Sequence, residues 1–103
     1  MPDLELDFQH GMMSVYETAR QHGYIASYFK QKLDRHGGVE AAKRLLAGEV
    51  IQSGLMRLWE LKLLNHSMEA LVIQERFRSL FTDDEVAEAR RRLDELGYFK
   101  QMR

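Results

Sequence analysis

The chain has no cysteine. That absence removes disulfide frameworks, thiol nucleophiles and cysteine-based zinc sites together, and it fits a reducing compartment. Proline occurs once, at position 2, outside every candidate element, so no proline interrupts a helix further along. Long apolar runs are missing too: none approaches the roughly 18 residues that cross a bilayer. The opening residues, Met1-Pro2-Asp3-Leu4-Glu5-Leu6-Asp7, are acidic where a secretory signal starts basic. The expectation is a cytoplasmic protein with no membrane association. Excess charge of one sign is also absent. The net charge of −1 exerts no global pull toward nucleic acid or anionic lipid. Locally, residues 14–66 hold eight Lys or Arg against five acids, a mild basic bias in the middle of the chain.

What is present suits a soluble globular fold. Hydrophobic residues make up 45% of the 103 positions and charged residues 30%, too apolar for disorder and enough for one core. The most fully specified stretch runs from Phe81 to Tyr98. Thr82 and Glu85 form a capping box, with Phe81 and Val86 placed as a hydrophobic staple. Asp83, Asp84 and Glu85 complement the positive end of the helix dipole. Gly97 is a stop, and Val86, Ala89, Leu93 and Leu96 form one apolar stripe.

The rest of the chain reads as short helices. Ser14-Val15-Tyr16-Glu17 is a second capping box, predicting a helix over 14–22 that ends at Gly23. Ile25, Tyr28, Phe29 and Leu33 define a second helical face, ending near His36 at Gly37-Gly38. A third helix spans 39–47, with Val39, Ala42, Leu45 and Leu46 inward. A fourth, capped by Ser53, spans 54–63 with Leu55, Leu58 and Trp59 on one face, and Asn65 breaks it. Ser67 caps a fifth over 68–80. Residues 3–8 alternate acid and apolar, the period of a strand with no partner strand elsewhere, so residues 1–12 are expected to be an extended or disordered tail. The expected fold is all-α: a compact single domain of five to six short helices over 13–103 behind that tail.

Chemistry-bearing patterns are sparse. His10, His22, His36 and His66 lack metal-ligand spacing. His22 and His36 precede glycines at helix ends, where a polar ring suits the dipole. Ser14, Ser53 and Ser67 read as caps. No nucleophile elbow, Walker loop or dinucleotide fingerprint occurs. The sequence therefore assigns no catalytic, cofactor-binding or metal-binding residue, and the expectation is a protein that is not an enzyme. Arg90, Arg91 and Arg92 splay about 100° apart around their helix, among Glu88, Asp94 and Glu95. Glu88 and Arg92 form an i,i+4 pair, so the run reads as a solvated face. A second basic group, Lys30, Lys32, Arg35, Lys43 and Arg44, surrounds the turn between the second and third helices. It supplies candidate nucleic-acid contacts, although Gly37-Gly38 and Glu40 match a DNA-reading helix-turn-helix poorly. Trp59, Tyr98 and Phe99 read as core or core edge. The methionines, among them Met12, Met13, Met56, Met68 and Met102, read as core filler or as an adaptable contact surface.

Several segments carry a resemblance when taken in order: His36 through Leu46, Ser53-Gly54-Leu55 with Leu58-Trp59-Glu60, Ser67 through Val72, Phe77, Leu80-Phe81-Thr82, Ala89 through Leu93, and Gly97-Tyr98. Over about residues 14–98 they resemble a group of small bacterial proteins of unknown function. The resemblance implies a bacterial accessory module and carries over no catalytic residue. The leading expectation is a non-enzymatic helical module that docks on another protein or on itself. The alternative is a nucleic-acid-associated module using the five basic residues.

Overall fold

Asp3 sits at the start of the longest helix, α1 (Leu4–Gln21), and its carboxylate accepts the Leu6 amide at 3.2 Å. The computed structural model describes residues 3–48 and 52–101. Through residues 4–12 it overturns the expected tail. The alternating acids that suggest a strand are instead an N-cap followed by two first-turn acids, Glu5 and Asp7, at the positive end of a dipole. The stripe that matters is Leu4, Phe8, Met12, Val15 and Ala19, with helical spacing. Phe8 and Met12 are 0% exposed, and Leu6, the residue that completes the apparent alternation, is exposed. The Ser14 capping box does not form, because Ser14 lies in mid-helix and Glu17 pairs with Arg20 at 2.8 Å.

Helix α1 ends where expected. Gly23 is left-handed, with φ +88°. The Tyr24 amide donates to Ala19 O at 2.9 Å and the Gly23 amide to Arg20 O at 3.0 Å, the paired bonds of a Schellman stop. Helix α2 (Ser27–His36) starts later than the spacing suggests, leaving Ile25 outside it and exposed. Helix α3 (Gly38–Ala47) follows through Gly37, whose φ of 80° and ψ of 169° belong to a region essentially restricted to glycine. Gly38 is buried against α1. A Cβ there would lie 2.6 Å from Gln9 Cα, and the Gly38 amide donates to Gln9 Oε1 at 3.2 Å.

Helix α4 (Gln52–Glu60) begins before Ser53, the expected cap, and ends before Asn65, the expected break. A second Schellman stop closes it: the Leu63 amide reaches Leu58 O at 2.8 Å and the Lys62 amide reaches Trp59 O at 3.0 Å. The left-handed residue here is Lys62, φ 62°, where the sequence signal is normally glycine. A 3-10 turn, Leu64–His66, leads to α5 (Met68–Val72), which Ser67 caps by accepting the Ala70 amide at 3.1 Å. The expected single helix over 68–80 is divided. Gln74 is extended, and a 3-10 segment, Glu75–Leu80, follows. With three residues per turn, it brings both Phe77 and Leu80 onto the core.

Helix α6 (Asp83–Glu95) has both bonds of the capping box, Thr82 amide to Glu85 Oε1 at 2.8 Å and Glu85 amide to Thr82 Oγ1 at 3.1 Å. A short α7 (Tyr98–Gln101) follows Gly97. Among the described residues every regular element is helical. The radius of gyration, 12.7 Å, is that of one compact domain of this length. No described helix is long and apolar enough to cross a membrane.

The core is organised on α1. Phe8 makes edge-to-face contacts with Phe77 and Phe81 at 5.1 and 5.0 Å between ring centroids. Leu33, Leu45, Val72 and Val86 bring α2, α3, α5 and α6 to the same cluster. Trp59, expected at the core or its edge, is 42% exposed. Met12 and Met68 are buried core filler, Met13 and Met56 are exposed, and Met102 lies outside the described residues.

Candidate functional site

The two Schellman stops bring Ala19 and Tyr24 of the α1–α2 connection against Leu58 and Leu63 of the α4 exit. Beside this cluster lies a cleft of about 300 Å³. Its walls are apolar: Val15 and Ala19 from α1, Phe29 from α2, Leu55 and Leu58 from α4. Tyr28, 56% exposed, stands at the mouth. Leu45, Met68 and Glu69, all buried, also line it. The volume is at the lower end of small-ligand pockets.

Glu69 is the chemically distinctive residue of the cleft. It is 3% exposed, and its Oε2 accepts Arg92 Nη1 at 3.2 Å. Arg92, also 3% exposed, is held on α6 by Glu88, whose Oε2 accepts Nε at 2.6 Å. Its Nη2 donates to Leu45 O, Leu46 O and Gly48 O at 3.3, 3.0 and 3.0 Å. Those carbonyls lie at the end of α3 and have no onward helix to bond. One guanidinium therefore closes the end of α3 and meets two carboxylates. The carboxyls respond differently. Hydrogen bonds from Arg91, then Arg92, hold Glu88 down at about 2 against partial burial. Burial pushes the Glu69 carboxyl up, and its backbone hydrogen bond and Arg92 only partly oppose this.

The basic candidates separate into groups. Lys30 pairs with Asp34 at 2.7 Å and lies over the Tyr16 ring of α1. Lys43 turns to α6, where it meets Glu85 Oε1 at 2.8 Å, the same oxygen that accepts the Thr82 amide. Arg44 pairs with Glu40 at 3.1 Å. Lys32 lies over Tyr28, and Arg35 is exposed in the last turn of α2. Three of the five thus have a carboxylate partner, which reduces the positive charge offered to phosphates. Partial burial, with Arg44, Lys32 and Arg35 acting in the same direction, lowers the His36 imidazolium. Arg35 and His36 lie in the last turn of α2, whereas Arg44 lies in the last turn of α3. The turn between the two helices rests on Gln9 of α1.

The histidines do not converge on the cleft. His22 Nδ1 lies 2.9 Å from Thr18 O at the end of α1, and His10 and His66 are exposed elsewhere. Among the described residues no group of three or more His, Cys, Asp or Glu is placed to hold a metal.

Sequence reasoning missed Glu69 and placed Arg92 on a solvated face with Arg90 and Arg91, whereas Arg92 is 3% exposed because its guanidinium reaches in to Glu69 and the end of α3. A signal existed for each. Glu69 is a lone acid inside Met68-Glu69-Ala70-Leu71-Val72, where every neighbour is apolar. Arg92 lies three residues beyond Ala89 and next to Leu93, at the margin of the α6 stripe, and Glu88 one turn earlier could offset its charge. Compared with protein families, curated proteins and solved structures, the chain has no significant match in any of the three.

Proposed function

We propose that this chain is a non-enzymatic helical interaction module that docks on a protein partner through the mouth of its apolar cleft. The observation that carries this reading is the cleft itself, open to solvent beside the exposed Ile25 and Tyr28. Exposed apolar side chains next to an unfilled apolar recess are what a contact surface needs. Met56 and Trp59 of α4 add exposed apolar area. The resemblance to small helical bacterial proteins, which rests on sequence alone, supports an accessory role in a bacterial cytoplasm. The test is a photo-crosslinking residue placed at position 28, with a control at exposed Asp94 of α6. The expected result is a discrete crosslinked species, to a partner or to a second copy, from position 28 only. Equal crosslinking from both positions, or none, overturns the reading.

The second reading is association with nucleic acid. It is supported by Lys32, Arg35 and Arg44, whose charges all act to disfavour protonation of His36. It is weakened by the carboxylate partners of Lys30, Lys43 and Arg44. Fluorescence anisotropy with mixed single- and double-stranded DNA and RNA decides it. Binding that falls steeply with salt and is lost in Lys32→Glu/Arg35→Glu supports phosphate contacts. No binding at low salt removes the reading.

A further inference from the structure

We propose that the cleft binds a small uncharged aromatic molecule of bicyclic size, held by packing against Val15, Phe29, Leu55 and Leu58 with no salt link to the protein. The inference concerns the same cleft as the docking reading but needs no protein partner.

Electrostatics come first. Glu69 is the only acid or base in the lining among the described residues, and its Oε2 already accepts Arg92 Nη1 at 3.2 Å. Both side chains are buried, one carboxylate against one guanidinium. The other donors of Arg92 go to Glu88 and to carbonyls at the end of α3. Glu88 is held in turn by Arg91, which donates to both of its oxygens. No charge of the network is left for a ligand to answer. A charged ligand entering the cleft would give up its water with no free partner of opposite sign, and that is costly. Among the described residues no buried side-chain nitrogen or oxygen lacks a hydrogen-bond partner, so no orphaned polar atom calls for a polar head on the ligand.

Size and lining come second. A dry apolar cavity of about 150 Å³ takes benzene, and the cleft, at about 300 Å³, has room for two fused rings. Val15, Ala19, Leu55 and Leu58 supply aliphatic wall, and Tyr24, Tyr28 and Phe29 supply aromatic rings. A planar aromatic ligand packs against such rings edge-on or offset, contacts that a saturated ligand of equal volume lacks. Its entry also takes out of water the apolar wall that an open cleft leaves wet. A concave apolar recess of this kind is the usual form of a small-molecule site.

The probes are quinoline, N-methylquinolinium and benzene. Quinoline is uncharged at neutral pH, and methylation puts a fixed positive charge into the same ring system, where it cannot be left outside the cleft. Binding to the whole chain is measured by calorimetry, and the site is mapped by amide NMR shifts. Quinoline is expected to bind saturably, at least about tenfold tighter than N-methylquinolinium and tighter than benzene, with shifts centred on Phe29, Leu55 and Leu58. Ala26→Trp, a substitution at a half-buried lining position outside the core clusters, should abolish binding by filling the cleft. Circular dichroism checks that this variant folds. If it does not, the probe comparison and the shift map decide the matter. Binding of N-methylquinolinium or benzene as tight as that of quinoline overturns the inference. So do quinoline binding that survives in a folded Ala26→Trp, shifts centred away from the cleft, and no quinoline binding at millimolar concentration. Quinoline binding with no crosslink from position 28 upholds the inference while removing the docking reading, and a crosslink with no quinoline binding does the reverse.

Discussion

Arg92 shows how much one side chain can hold together. Its guanidinium is planar and presents donors in a fixed fork, which lets it serve Glu88, Glu69 and the end of α3 at once. Replacing it with methionine keeps most of the apolar stem but strands the Glu69 carboxyl and takes a donor from three carbonyls, of which Leu45 O keeps the Gly48 amide. Removing one partner of a buried pair costs about 3–5 kcal/mol, and Arg92→Met should lower unfolding stability by about that much in urea titrations. In a Glu69→Gln background the same substitution should cost at least about 1 kcal/mol less, because no buried charge is left behind. The two carboxyls also set opposite pH dependences. Glu88 is held at about 2, below its ordinary 4.5, so its contribution is present above 4.5 and lost as pH falls toward 2. Glu85 moves the same way, because hydrogen bonds from Lys43 and Thr82 outweigh the partial burial that opposes its ionisation. Glu69 is pushed up, so its contribution is present in acid and lost as pH rises through its raised value. Glu88→Gln should flatten the fall in thermal midpoint between about pH 4.5 and 2 while leaving the neutral-pH side of the profile in place.

Among the elements, α1 departs furthest from what the sequence suggests. With Phe8 enclosed by Phe77 and Phe81, Phe8→Ala should cost about 3–5 kcal/mol, measured by chemical denaturation. A tail residue would cost nothing detectable, so this substitution separates the two descriptions of the N-terminal segment. The reason for the misreading is physical. Three acids at alternate positions satisfy a strand's period of two, and the same acids satisfy a helix N-terminus, which seeks a cap and negative charge. Only the continuation to Met12, Val15 and Ala19 distinguishes the two. Some starts and stops were legible: Gly23, Gly37, Ser67 and the Thr82–Glu85 box are in their expected roles, whereas Ser14-Val15-Tyr16-Glu17 has the same capping pattern and lies in mid-helix. Where backbone geometry overrides preference they were not. Lys62 takes a left-handed conformation that composition does not announce, and Gln74 divides a segment whose apolar spacing continues through it. The candidate site was legible only in pieces. Leu55, Leu58 and Phe29 were assigned to helical faces, but the cleft is lined jointly by α1, α2 and α4, an arrangement that no local pattern encodes.

At the scale of the molecule, the fold is three apolar clusters joined by polar ties across long stretches of chain. Lys43 meets Glu85 across α3 and α6, and Gln9 meets Gly38 across α1 and the α2–α3 turn. Arg92 makes the longest of these ties, to Leu45, Leu46 and Gly48, and joins segments separated by more than forty residues. Such a tie has a kinetic meaning. Closing a long loop is slow compared with winding a helix, and the guanidinium can find its carbonyls only after α3 has formed and α6 has docked on it. Arg92 should therefore join the native structure after the rate-limiting barrier. In stopped-flow measurements, Arg92→Met should hasten unfolding and leave the refolding rate nearly unchanged, the signature of an interaction absent from the transition state. Arg92 then acts as a latch on the time axis: it scarcely helps the chain find its fold, and it governs how long the fold, once found, lasts.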